Sequence, residues 1–181
     1  VSLVTPKPKR CIEMLVLSVD PGLTGAISLL CSQRGLLECE DLPTSSNGQT
    51  TGKMLRWIDV AALQSMLVNW STKHDFASQS VHAAIERPIP MPTLPAQTVA
   101  SQFDTFGVIR ALVGGKVSFN AMHIVNPQVW KRTFGLKSDK DESIACALRL
   151  YPRAAGHLAR KKDHNRSEAI LIGHWLLREI A

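Results

Sequence analysis

Three carboxylates occupy places where a carboxylate can do more than meet water. Asp20 closes the apolar run Leu15–Asp20 (LVLSVD), and Glu86 closes a second one, Val81–Glu86 (VHAAIE). Both runs are short, apolar and bounded by Pro and Gly signals, as buried strands are. In open α/β sheets, sites form outside the carboxyl ends of strands. If these two strands are neighbours, the two acids stand side by side. Like charges that close repel, and a divalent cation between them keeps both ionised at least cost. A lone acid at a strand end is more often a turn former; it is the matching positions that point to a site. Glu168 is the third, in KKDHNRSEAILIG just ahead of an apolar helical run. His164, four residues earlier, shares its helix face, and Asn165, three earlier, lies near it. Asp163 would act from the preceding loop. N-terminal capping explains Asp163 well, but it explains Glu168 poorly, because Glu168 is a full turn inside the helix.

These residues need a sheet to bring them together. Leu15–Asp20, Ala26–Cys31 and Leu36–Leu42 read as three strands joined by short turns, hence an antiparallel meander. Gly22 and Gly25 relieve sterics in the first turn. Pro43–Lys53 is polar and reads as a flexible loop. Trp57, Val60, Leu63, Leu67 and Trp70 follow an amphipathic helical spacing. The next strand, Val81–Glu86, is therefore reached by a crossover and pairs in parallel. Arg87–Pro95 holds four prolines and must be extended. Val99, Phe103, Phe106 and Ile109 mark a second helix that ends at Gly114-Gly115. Ala121–Val125 is a fifth strand. Short helices follow from Pro127 to Phe134 and from Ser138 to Tyr151, and a last helix starts near His164. Trp130 and Phe134, one turn apart, read as core. The fold class is α/β with a mixed five-stranded sheet and helices on both faces.

The chain has 181 residues and a formal charge of +6. Ten Lys and Arg against four Asp and Glu fall between Asn126 and Arg166, so the whole surplus sits in that window. A basic excess confined to one segment is either a solvated helix face or a surface for a polyanion. Lys131, Arg132, Lys137, Lys140, Arg160, Lys161 and Lys162 are the candidate phosphate contacts. The four cysteines, at positions 11, 31, 39 and 146, show no C-x-x-C spacing and read as reduced thiols. No apolar run is long enough to span a bilayer. Residues 1–12 read as a flexible basic tail without the apolar core of a signal peptide.

SVDPGLTGA, AAIERP and KKDHNRSEAILIG, in that order, resemble the acidic motifs of the RuvC-type Holliday junction resolvases, nucleases of the ribonuclease H-like superfamily. PQVWKRTFGLKSDKDESIACALRLYP resembles the Trp-Lys, Lys-Asp and Pro landmarks between the last two motifs. Within the family, the chain is most similar to the branch holding the plastid monokaryotic chloroplast resolvase and its bacterial and phage relatives. The resemblance runs from Leu15 to the C-terminus and implies one ribonuclease H-like nuclease domain over residues 13–181. It implies a two-metal phosphodiesterase that resolves four-way DNA junctions as a homodimer. Asp20 would bridge two Mg²⁺ or Mn²⁺ ions, and Glu86 and Glu168 would each help hold one. His164 would be a ligand or a proton carrier beside the attacking water. Many bacterial members carry Asp three residues before the final carboxylate, where this chain has Asn165. The plastid-like branch carries Lys-Asp-His there, which favours His164 as the fourth residue and leaves Asp163 as its rival. The implied setting is a bacterial or phage-type cytoplasm, or a plastid if a transit peptide has been removed.

Other readings keep the carboxylates and change the role: a nuclease for RNA–DNA hybrids or flaps, or a junction-binding module without catalysis. Asp20-x-Gly22-x-Thr24 also matches the first phosphate loop of the actin and hexokinase fold. That fold needs two such domains, and this chain shows no internal repeat. Gln97, Gln102 and Phe103 would reach a junction's centre or form a dimer contact.

Overall fold

In the first strand, β1 (Met14–Asp20), odd and even residues face opposite ways, and that parity organises the molecule. The computed structural model describes residues 13–48, 55–116, 120–137 and 140–181. The expected basic tail, Cys11, and the Ser138 start of the fourth helix lie outside them. β1, β2 (Ala26–Cys31) and β3 (Gly35–Asp41) form the expected antiparallel meander. β4 (Thr44–Ser46) and β5 (Arg56–Ile58) form a separate two-stranded ribbon. There follow α1 (Val60–Lys73), β6 (Ser80–Glu86), α2 (Ala96–Lys116), β7 (Ala121–Val125), α3 (Pro127–Thr133), α4 (Lys140–Leu150) and α5 (His164–Glu179). The sheet order is β3-β2-β1-β6-β7, with β6 parallel to β1 and β7 parallel to β6, as the crossovers require.

Leu15, Leu17 and Val19, with Ala83 and Ile85 of β6, pack under Leu63, Leu67 and Trp70 of α1 and Phe106, Ile109 and Val113 of α2. On the other face, Val16, Ala84 and Val125 pack against Trp130 of α3, Cys146 and Ala147 of α4, and Ile170 and Leu171 of α5. Helices therefore cover both faces, as the sequence predicts.

Three expectations shift. The stripe that begins at Trp57 does not begin a helix there. Asp59 accepts from Ala62 N at 3.0 Å and caps α1 one residue before Val60. Ser45 Oγ donates to the same carboxylate at 2.7 Å, which ties the cap to the ribbon. Trp57 stays in β5, and both it and Val60 are exposed. The expected loop from Pro43 to Lys53 contains β4, whose three residues are too few to show a period; residues 49–53 of that loop lie outside the described set. Gly114-Gly115 does not stop α2, which continues to Lys116.

Two glycines are set by close approach. A Cβ on Gly25 would overlap the Asp20 carbonyl oxygen and sit 2.7 Å from Gly22 N, so no side chain fits in the turn after β1. A Cβ on Gly173 would lie 2.5 Å from both Leu30 Cδ1 and Ser18 Oγ. Ser18 and Ser28 are fully buried and hydrogen-bond each other at 2.8 Å beneath that contact. Gly173 therefore sets how closely α5 sits on β1. Gly173→Ala is expected to lower stability by about 1–3 kcal/mol through overpacking, read as a lower urea midpoint at unchanged slope. An unchanged midpoint would mean that α5 has slack to move outward.

Candidate active site

Val19 pairs with Ile85 in the β1–β6 register, so the next residues along, Asp20 and Glu86, end their strands side by side. Both carry the even parity of Val16 and Ala84, the face that α5 covers. Glu168 comes from the first turns of that helix, ahead of buried Leu171 and Ile172. One carboxylate oxygen from each of Asp20, Glu86 and Glu168 lies within 4.8 Å of the other two. Residues far apart in the chain thus share one small volume, at the strand ends that the sequence points to.

This crowding has an electrostatic signature. Burial pushes the Asp20 carboxyl well above the usual range, and the charges of Glu86 and Glu168 push it further; Lys131 opposes them. Burial also raises Glu86, to about 7, against the hydrogen bond from Trp130 and the charge of Lys131. The Trp130 indole Nε1–H donates to Glu86 Oε2 at 2.6 Å. Lys131 Nζ donates to both Glu168 oxygens, at 3.2 and 3.1 Å. Ser143 Oγ approaches Glu168 Oε1 at 3.5 Å. Adjacent residues of α3 thus serve two different carboxylates.

Three carboxylates face one ammonium in a partly buried pocket, so ionising Asp20 and Glu86 as well as Glu168 leaves net negative charge that a cation would offset. All the donors are oxygens, which suits a hard divalent cation. Asp20, Glu86 and Glu168 therefore form a set that could hold one. Trp130→Phe keeps an aromatic ring in the core, at some loss of packing volume, and removes the N–H that favours the ionised Glu86. It is expected to weaken Mn²⁺ binding about tenfold, the loss of one hydrogen bond to a charged group, as read by titration of the metal. Equal affinity in the two proteins would show that the indole only fills space.

His164 is not part of the 4.8 Å group. It starts α5, one turn above Glu168, and borders a cavity with Thr24, Gly25 and Asn165. Its Nδ1 is buried and has no hydrogen-bond partner among the described residues. Asp163 also stands apart. It is buried, and the Arg160 guanidinium binds it at 2.6 and 2.9 Å while Arg160 N donates to it at 2.8 Å. These bonds hold its carboxyl below the usual range, as in a structural cap. Asn165 Nδ2 donates to the Thr24 carbonyl and joins α5 to the turn after β1.

Two of the basic candidates have acidic partners close by: Lys131 lies on Glu168, and Arg160 on Asp163. Lys161 is 3.7 Å from Asp141, and both are solvent-exposed. Arg132, Lys137, Lys140 and Lys162 are exposed. The sequence pattern points Trp130 to the core and Lys131 to a phosphate. Trp130 is indeed fully buried, but its polar edge and Lys131 both turn to the carboxylates. The only signal is their position, on a short helix that directly follows the strand beside Glu86.

No family model matches the chain, and no curated protein does. Among solved structures, the Thermus thermophilus RuvC in complex with a Holliday junction substrate matches with a TM-score of 0.56 at 14% identity, over 93% of this chain and 96% of that one. A second Thermus thermophilus RuvC structure matches with a TM-score of 0.47 at 16% identity, over 92% and 96%. The chain has the ribonuclease H-like fold seen in the first of these, with the mixed sheet and flanking helices in common.

Proposed function

We propose that the chain is a divalent-metal-dependent endonuclease that resolves four-way DNA junctions by paired, symmetric nicks. The observation that carries this reading is the Asp20, Glu86 and Glu168 cluster at the carboxyl edge of a ribonuclease H-like sheet. A similarly folded protein is described as complexed with a Holliday junction. Mg²⁺ or Mn²⁺ bound there would supply an activated water and stabilise the leaving oxygen. The chain's own residues would do the rest. Asp20, Glu86 and Glu168 hold the charge, Trp130 fixes one Glu86 oxygen, and Lys131 balances Glu168. His164, whose Nδ1 lacks a partner among the described residues, is poised at the rim as ligand or proton carrier. The exposed lysines and Arg132 supply backbone contacts. Each chain carries one cluster and a junction needs two cuts, so a two-fold dimer would place the second site. The Lys-Asp-His run at 162–164 favours the plastid-type branch of resolvases. No helix among the described residues is long and apolar enough to cross a membrane.

The test is a synthetic four-way junction incubated with Mg²⁺ or Mn²⁺, with nicks mapped on all strands and hybrid, flap and duplex substrates alongside. Symmetric nicks across the junction support the reading. Preferred cutting of a hybrid or flap replaces the substrate class. Junction binding with no nick in either metal would show a binding module.

A further inference from the structure

Two cavities flank the turn after β1 and share a wall. The first, about 490 Å³, is bordered by Asp20, the turn itself, Gln97 and Gln102 of α2, and Arg56. The second, about 450 Å³, is bordered by the same turn, Arg56, Lys140, Lys162 and the start of α5. Leu23–Gly25, Arg56 and Asn165 line both, so the two are halves of one groove. At one end stands Asp20, the member of the carboxylate cluster that borders the groove; at the other stand Lys140 and Lys162; Arg56 borders both halves.

Charge along this groove is not evenly balanced. Asp41 and Asp163 border the second half, but both are already engaged. Arg166 Nε binds Asp41 at 2.6 Å, and Arg160 binds Asp163. No described carboxylate pairs with Arg56, Lys140 or Lys162. Arg56 is exposed, and its guanidinium donates to Thr44 Oγ1 at 2.6 Å across the β4–β5 ribbon. Asp59 N donates to the Pro43 carbonyl at 2.9 Å and extends the ribbon's ladder, and at its base Leu42 N donates to the Gly25 carbonyl at 2.9 Å, which joins it to the turn after β1. An exposed guanidinium with donors to spare, set between Asp20 and two lysines, suits a chain of phosphates.

We infer that this groove takes one DNA strand and that Arg56 is its phosphate-holding residue. The scissile phosphate lies at the carboxylates, a neighbouring phosphate lies on Arg56, and the strand continues toward Lys140 and Lys162. This rests on the nuclease reading and gives its substrate a track. The ribbon then has a purpose beyond linking β3 to α1: it carries the clamp.

The probe is a synthetic four-way DNA junction with Ca²⁺ in place of Mg²⁺, with affinity followed by fluorescence anisotropy across a salt series. Arg56→Ala is expected to bind about tenfold more weakly, with the salt slope reduced by about one ion. Arg56→Lys should recover only part of the loss, because a point charge replaces a fork. Replacing phosphates beside the mapped nick with neutral methylphosphonates, one at a time, supplies the second arm. One replacement should weaken the wild type about tenfold and leave Arg56→Ala unchanged. Wild-type affinity and slope in Arg56→Ala would overturn the inference, as would a methylphosphonate penalty equal in both proteins at every position. A wild type that neither binds nor nicks the junction would remove the nuclease reading itself, and the groove assignment with it.

Discussion

Asp20→Asn is expected to reduce nicking by about 10³-fold or more, while junction binding in Ca²⁺ stays at or slightly above wild-type strength. Asp20 lies against both other carboxylates, whose charges push its own carboxyl up. A cation held by the set would thus have the Asp20 charge beside it, together with those of Glu86 and Glu168. Asparagine keeps the shape and one acceptor oxygen and loses the charge. The turn beyond it is held by backbone packing at Gly25, which the change leaves alone. Loss of one electrostatic contact to the reacting group costs about 10²–10³ in rate where a single donor is removed, and losing a cation-holding charge exceeds that. Affinity should persist because phosphate contacts come from basic side chains elsewhere. Single-turnover nicking and anisotropy on the same preparation separate the two quantities. A fully active Asp20→Asn in Mg²⁺ would take the carboxylate cluster out of the chemistry.

Glu86→Gln should do something opposite to stability. Burial raises Glu86 from 4.5 to about 7. A carboxyl raised in the folded state lends its full stability below its unfolded value. That contribution is lost as pH climbs from about 4.5 to about 7. At pH 8 the metal-free wild type therefore carries a penalty of about 3 kcal/mol at this residue. Glutamine removes the penalty and still accepts from the Trp130 indole. Metal-free Glu86→Gln is expected to be more stable than wild type by up to about 3 kcal/mol at pH 8, and by less than about 1 kcal/mol at pH 5. Saturating Mg²⁺ should stabilise the wild type by mass action and the variant far less. Urea titrations at the two pH values, with and without metal, read all four states. A variant less stable than wild type at pH 8 without metal would show that Glu86 is held by contacts that burial and charge do not describe.

The sheet and its carboxylates are legible in the sequence because each is written locally. β1, β2, β6 and β7 are apolar runs ended by turn formers, and Asp20 and Glu86 sit at their ends. The crossover through α1 is enough to make β6 parallel, since a helix of that length has no place in a hairpin turn. Contacts made by two neighbours in different directions are not legible. Trp130 and Lys131 are adjacent in α3, so their side chains diverge by about 100°, and each meets a carboxylate from a different element. In sequence they read as one core residue and one surface charge. Arg56 is hidden for another reason. A three-residue strand has no period, so β5 merges into the helical stripe that starts at Trp57. Spacing puts His164 on Glu168's face, and for the helix that holds. Spacing cannot tell that His164 stands outside the carboxylate group, where it borders the groove beside the turn.

The three carboxylates come from β1, β6 and α5, so no short contiguous piece of the chain holds the set. During synthesis Asp20 emerges first and Glu168 long afterwards. A ribosome-bound chain that lacks α5 lacks Glu168 and so lacks the complete set. On the nuclease reading proposed above, cutting would wait for α5 to dock, and chains made or opened short of that event would leave DNA intact. Gly173, which lets α5 seat on β1, stands at the gate of that event.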